Sequence, residues 1–209
     1  MNIARALPPD EPLAGLMGRL LVLRADVLVE TAGLTGDGGL EALDKFDEAY
    51  RRLYFVRSQS RTLYSGRILL HALGGNPLFK SLLEQAADRD RDNWYLNKKA
   101  VDRAGKTIEA VRNTIGAHAE QHVDEAVRRM HPDAHGWMEM HSELGFRPRL
   151  AGDLVLATLL LGHPLDEARE RFGQLVDNLH EALIAWMRAT NIAVELYCRR
   201  YTALWPERR

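Results

Sequence analysis

One apolar stripe near the C-terminus constrains the fold more than any other feature of this sequence. Its members recur at steps of three or four residues: Leu165, Ala168, Phe172, Leu175, Leu179, Leu183, Trp186, Thr190, Ala193, Tyr197, Tyr201 and Leu204. This spacing is typical of a helix with one buried face, and Pro164 and Pro206 suit its two ends. A helix of about 40 residues spans roughly 60 Å, which is longer than a compact domain of this size needs. We therefore expect a kink near Gly173 or packing of one end on a second subunit.

Shorter stripes at the same spacing predict helices in the rest of the chain, over about 12–31, 39–73, 77–87, 93–118, 122–130 and 150–162. The stripe over 39–73 includes Ile68, and the stripe over 93–118 includes Leu96. A polar run at 57–61 interrupts the apolar pattern of the second of these helices, and the sequence from Gly74 to Pro77 ends that helix. Residues 131–149 read as irregular, and the lack of two-residue alternation argues against strands. The prediction is a single all-α domain over 1–209, with its core at about 12–204, folded as an up-and-down bundle of five to seven helices.

Composition excludes several classes of protein. With 46% apolar residues and a net charge of −1, the chain is neither mainly disordered nor a polybasic nucleic-acid binder. The only cysteine, Cys198, excludes an intramolecular disulfide and a cysteine-rich zinc site. No apolar run has the length of a membrane span or the flanks of a signal peptide. We therefore expect a cytoplasmic protein without a membrane partner.

The segment Val111–His118 carries the most informative chemistry. Asn113 follows Arg112 directly, and His118 lies six positions after the arginine, with Ala117 before it, at the end of an amphipathic helix. This pattern resembles the motif of the HEPN superfamily (higher eukaryotes and prokaryotes nucleotide-binding domain). Those proteins are helical bundles that include many RNA-cleaving toxins and abortive-infection proteins. The resemblance in motif covers seven residues and implies a HEPN-like fold.

The residue types in this motif suit RNA cleavage by attack of the 2′-hydroxyl on the adjacent phosphate. The imidazole of His118 can exchange a proton near neutral pH, and the guanidinium of Arg112 matches phosphate oxygens. Asn113 can orient the imidazole or bind ribose. The scheme needs no metal and no cofactor. The resemblance implies these roles, products that end in 2′,3′-cyclic phosphate, and an antitoxin protein as a possible partner.

Geometry separates the two main residues of the motif. Six residues of a straight helix turn the chain so that Arg112 and His118 point about 120° apart. Either Gly116 allows a local distortion, or a second protomer completes the site. The resemblance implies a homodimer in which two motifs share one cleft, and a two-fold interface would bring them together.

Basic residues upstream of the motif are candidates for RNA binding. Between Arg89 and Arg112 there are seven basic and four acidic residues. The candidate phosphate contacts are Lys98, Lys99, Arg103 and Lys106. Trp94 or Tyr95 could stack on a base. The alternative is an ordinary mixed helix surface with Trp94 in the core.

Other interpretations of the chain remain open. Arg112 could simply pair with Glu109, and the protein could be a non-catalytic, HEPN-fold binding or regulatory protein. A metal-binding bundle is a further alternative, because the following residues could supply ligands: His118, His122, His131, Asp133, His135, Glu139 and His141. Exposed loop histidines would explain the same pattern. The pKa of Cys198 could be lowered by the arginines beside it, although a bystander thiol is the simpler interpretation.

Overall fold

The computed structural model describes residues 7–8, 11–35, 45–113, 138–141, 145–148 and 165–200. Within these ranges the chain forms six helices: α1 (Pro12–Thr35), α2 (Lys45–Gly75), α3 (Pro77–Glu84), α4 (Asp88–Arg103), α5 (Gly105–Val111) and α6 (Leu165–Arg200). The prediction of an all-α helical bundle with five to seven helices is therefore confirmed for the described part of the chain. None of the helices in these ranges is both long enough and apolar enough to cross a lipid bilayer.

A short hairpin lies in the segment that the sequence predicts to be irregular. Strand β1 (Met138–His141) pairs antiparallel with β2 (Gly145–Pro148), so that Met138 is opposite Pro148 and His141 is opposite Gly145. Four-residue strands without β-branched residues are too short to give an alternating pattern. The proline occupies the end of its strand, where the missing N–H is tolerated. The helices predicted at 122–130 and 150–162 lie outside the described residues.

The chain folds into two compact units. The first consists of Met1–Leu28, Thr62–Gly105 and His180–Arg209, and the second consists of Val29–Arg61 and Lys106–Leu179. Helices α1, α2 and α6 each supply residues to both units. The single domain over 1–209 stays a prediction.

The core of the first unit is built around two buried tryptophans. Trp94 on α4 packs edge-on against Phe79 on α3, with ring centroids 5.2 Å apart. Helix α3 begins at Asn76, whose side-chain oxygen accepts hydrogen bonds from the backbone N–H groups of Leu78 and Phe79, at 3.0 and 3.1 Å. Trp186 on α6 is fully buried. The cap therefore fixes the start of the short helix that covers one tryptophan.

The predicted stripes are confirmed in part. On α6, the stripe members between 179 and 197 are all buried, and the helix runs through Gly173 without a break. On α2, however, Ile68 is 50% exposed, and on α4 Leu96 is 62% exposed. Both residues belong to the predicted stripes, so their assignment to the core is wrong.

The polar run at 57–61 lies within α2, as the predicted helix over 39–73 requires. Ser58 donates a hydrogen bond to Glu30 at 2.6 Å, and the amide of Gln59 donates one to Thr31 at 3.2 Å. Both acceptors lie on α1 in the same second unit. A side chain at Gly33 would collide with the ring of Phe55, so the backbone of α1 approaches α2 closely here. The polar side chains are therefore bonded across the helix pair.

The predicted central helix over 93–118 is divided in the structure. Helix α4 already begins at Asp88, and a turn at Ala104 separates it from α5. Gly105 follows this turn and is buried against Arg67, whose guanidinium occupies the space that a side chain at position 105 would need. The division brings Arg67 close to the end of α4.

Candidate functional site

Two of the three motif residues lie at the end of α5, within the second unit. Val111 and Ile108 are fully buried and anchor the helix. Arg112 is half-buried and Asn113 is exposed, and both continue the chain as a π-helical turn. The Nη1 atom of Arg112 donates a hydrogen bond to Oδ1 of Asn113 at 3.0 Å. The helix thus leaves α geometry at the motif itself, and its core-facing residues hold the guanidinium–amide pair at the surface.

The third motif residue, His118, lies outside the described residues, together with Gly116 and Ala117. Of the three motif residues, the structure describes Arg112 and Asn113, and it places these two beside each other. The proposed relation between Arg112 and His118 stays a prediction, as does the homodimer.

The four candidate RNA-binding residues differ in their surroundings. Lys99, Arg103 and Lys106 are exposed. Lys98 is only partly exposed: its ammonium donates a 2.7 Å hydrogen bond to Asp102, and its stem lies near Gly74. Lys98, Lys99 and Arg103 belong to the first unit, whereas Lys106 and the motif belong to the second.

The two aromatic candidates for base stacking, Trp94 and Tyr95, differ in their exposure to solvent. Trp94 is fully buried and belongs to the core, so it cannot stack on a base. Tyr95 is exposed and meets Trp94 edge-on, with centroids 5.1 Å apart. Of the two aromatic candidates, only Tyr95 has an exposed side chain that could stack on a base.

The metal interpretation is not supported by the part of the chain that the structure describes, which contains no group of three or more potential ligands. Two of the potential ligands, Glu139 and His141, lie in β1. The other histidines of that hypothesis, His118, His122, His131 and His135, lie outside the described ranges. Cys198 is partly buried, and burial raises the pKa of its thiol. This environment favours the bystander interpretation of Cys198 over an activated thiolate.

A cluster that the sequence did not reveal surrounds Asp102 in the first unit. One carboxylate oxygen lies 2.7 Å from Nε2 of His71 and 3.5 Å from Nε of Arg67, and the other lies 2.7 Å from Nζ of Lys98. Arg67 and His71 are four residues apart on α2, and Lys98 and Asp102 are four apart on α4. Each helix therefore presents two neighbouring side chains to the other.

The charge of Asp102 fixes the hydrogen-bonding role of His71. Burial raises the pKa of Asp102, but the hydrogen bond and charge of Lys98, followed by those of His71, outweigh it and leave the pKa lowered. The carboxylate is therefore ionised at neutral pH and can only accept hydrogen bonds. Nε2 of His71 therefore donates the hydrogen bond to Asp102. The side chain of His71 is 52% exposed.

We expect Asp102→Asn to lower the free energy of unfolding by about 1 kcal/mol at neutral pH, because it removes a half-buried carboxylate with three cation-capable neighbours. A lowered pKa stabilises the folded state above the ordinary pKa of aspartate, and this stabilisation is lost as the pH falls through the folded-state pKa. The difference from wild type should therefore shrink in acid. Urea titrations at neutral and acidic pH measure it, with Asp26→Asn as control, since Asp26 is exposed on α1. A difference that persists unchanged in acid would contradict this role of Asp102.

The sequence contains only half of the signal for this cluster. The spacing of four residues in each pair is visible and suggests that each pair shares a helix face. Nothing in the sequence says that α2 and α4 bring their pairs together. Gly105, whose missing side chain admits Arg67, could have been noted only as a glycine inside a helical pattern.

Comparison of the chain with protein-family models, with curated protein sequences and with solved structures finds no significant match. The interpretation of the candidate site therefore rests on the chemistry and geometry of its own residues.

Proposed function

We propose that this protein is a HEPN-like, metal-independent endoribonuclease, acting as a toxin or phage-defence protein. Arg112 binds the scissile phosphate, His118 transfers the proton, and Asn113 orients the imidazole or binds the ribose. The bases of the proposal are the motif resemblance and the chemistry of these side chains. RNA is the substrate because its 2′-hydroxyl supplies the nucleophile.

The observation that carries the proposal is the Arg112–Asn113 pair at the surface end of α5. The amide oxygen of Asn113 accepts from one terminal nitrogen of Arg112, which restricts the orientation of the guanidinium plane. A planar guanidinium in a restricted orientation is suited to bidentate phosphate binding. The buried Val111 beside it supplies the rigid support that such a site needs.

The reaction that we propose breaks one P–O bond and forms another. The 2′-oxygen attacks the phosphorus as its proton leaves, the 5′-oxygen departs with a proton, and a 2′,3′-cyclic phosphate remains. His118 serves as the acid or base, a contribution worth about 10²–10⁴-fold in rate. Arg112 stabilises the additional negative charge on the phosphorane.

The proposal includes a homodimer, because two motifs meeting at a two-fold axis would supply the second half of each site. It also includes an antitoxin protein that restrains cleavage in the cell. The cytoplasm is the expected compartment, since RNA is present there.

We expect cleavage of a synthetic RNA to continue undiminished in excess chelator and to leave 2′,3′-cyclic phosphate ends, because no step uses a metal ion. Mass spectrometry identifies these ends, which are lighter than linear phosphate ends by one water. A matched RNA with 2′-O-methyl groups serves as the control and should remain intact. Loss of activity in chelator, or products with 5′-phosphate ends, would rule out this mechanism.

A further inference from the structure

Helix α1 carries apolar residues on more than one side. One set is buried in the core of the first unit: Leu13, Met17, Leu20 and Val27. A second set lies on another side of the helix and is exposed: Leu21, Val22, Ala25 and Leu28. We call this second set the α1 face. A helix that is apolar around most of its circumference is ordinarily buried around most of it, so the composition of the α1 face predicts a partner that covers it.

The exposed apolar surface of the α1 face is continuous. Leu21, Val22 and Leu28 are 42%, 62% and 49% exposed. Each lies three or four residues from Ala25, which places all of them at neighbouring positions of the helix surface. Single exposed apolar residues are ordinary on a protein, whereas a contiguous apolar patch with polar borders is typical of an interaction site. The α1 face therefore has the apolar centre of a protein–protein interface.

The charged residues that border the α1 face indicate which partner fits it. Arg24 and Asp26 precede and follow Ala25, and at about 100° per residue they lie on opposite flanks of the face. When two identical helices pack in parallel about a two-fold axis, the left flank of one meets the right flank of the other. Arg24 of each copy would then lie beside the partner's Asp26. In an antiparallel pair the same flanks would meet, and like charges would be neighbours.

We propose that the α1 faces of two copies of this chain pack in parallel about a two-fold axis, with Ala25 at the closest approach of the helices. The apolar residues supply most of the affinity, because exposed ion pairs contribute little and mainly set the orientation. Nε of Arg24 donates to Asn191 at 3.2 Å, and a guanidinium has further N–H groups that can donate to the partner's Asp26. The inference rests on α1 alone, and it supplies the dimer that the proposed function includes.

Sedimentation equilibrium of the full-length protein tests this interface, and the decisive variant is Val22→Glu. A glutamate at this position would be buried without a partner in the dimer, so we expect the dissociation constant to rise about 30-fold or more, as at an interface hot spot. Leu96→Glu is the matched control, because Leu96 on α4 has the same exposure of 62% but lies outside the α1 face. It should leave the dissociation constant as in wild type. Far-UV circular dichroism checks that both variants are folded.

Charge reversal tests the parallel arrangement. Asp26→Arg places like charges beside each other on both flanks, and so does Arg24→Asp, so each variant should dimerise about 10-fold more weakly than wild type. An equimolar mixture of the two variants should form a heterodimer about as tightly as wild type, because every flank then joins an arginine with an aspartate. A role of Arg24 or Asp26 within a single chain would not give this recovery in a mixture.

The inference is overturned if the wild type sediments as a monomer at high micromolar concentration, or if Val22→Glu and Leu96→Glu behave alike. A monomeric wild type whose melting temperature falls on Val22→Glu would mean that another segment of this chain covers the α1 face. If neither charge reversal weakens the dimer, the parallel arrangement is wrong.

These outcomes are separate from the outcome for the proposed function, because sedimentation measures association and not cleavage. A dimer that Val22→Glu dissociates, together with no RNA cleavage by wild type, would retain the interface and remove the nuclease. RNA cleavage by a wild type that sediments as a monomer would retain the nuclease and remove the interface.

Discussion

Replacement of His118 by alanine is expected to lower the rate of RNA cleavage by about 10²–10⁴-fold, because it removes the group that transfers the proton. Replacement of Arg112 by alanine should lower the rate by about 10²–10³-fold through the loss of charge stabilisation. Arg112→Lys should restore only part of the activity, since lysine keeps the charge but lacks the planar fork. Single-turnover cleavage of a labelled RNA measures all three rates.

Folding controls show whether these losses of activity come from the missing side chain or from unfolding of the protein. Arg112 and Asn113 lie at the surface end of α5, so their replacement should leave far-UV circular dichroism and the melting temperature near those of wild type. Arg188→Ala is the matched control, because Arg188 is an exposed arginine on α6, and its activity should remain at the wild-type level. Equal cleavage by wild type and by both motif variants would remove the nuclease hypothesis. No cleavage and no growth toxicity for wild type would favour the non-catalytic alternative.

Helices could be predicted from this sequence because apolar periodicity reports directly on a buried face. The predicted stripe on α6 is confirmed over 179–197, where every member is buried. The prediction that Ile68 and Leu96 belong to the core is wrong. Each lies at helical spacing from true core residues, yet the face on which it lies meets solvent. Periodicity identifies apolar residues on one side of a helix, but it does not say how far around the helix the packed face extends.

The Asp102 cluster could not be predicted, because its residues come from helices that are about 30 positions apart in the chain. Within the cluster, Arg67 also lies against Gly105, which follows the turn at Ala104. Basic residues on α4 were visible as candidates, but the sequence could not separate Lys98, which is bonded to Asp102, from the exposed Lys99. Tertiary contacts make that distinction.

Replacement of Gly66 by alanine is expected to destabilise the fold. Gly66 lies on α2 in the first unit, and a Cβ atom there would collide with the indole of Trp186, a fully buried residue. Alanine ordinarily stabilises the interior of a helix by about 1 kcal/mol relative to glycine. Here we expect Gly66→Ala to lower the free energy of unfolding by about 1–3 kcal/mol, because overpacking outweighs that gain.

A matched glycine and a second substitution isolate the contact. Gly173 on α6 has open space around its Cβ position, so Gly173→Ala should be neutral or stabilising by up to about 1 kcal/mol. Trp186→Phe supplies a smaller ring, and Gly66→Ala should therefore cost less in that background than in wild type, with a coupling of about 0.5–3 kcal/mol. Urea denaturation gives each value from the midpoint, provided that the m-value is unchanged. Strict additivity of the two substitutions, or a stabilising Gly66→Ala, would mean that α2 and α6 do not meet at this pair of residues.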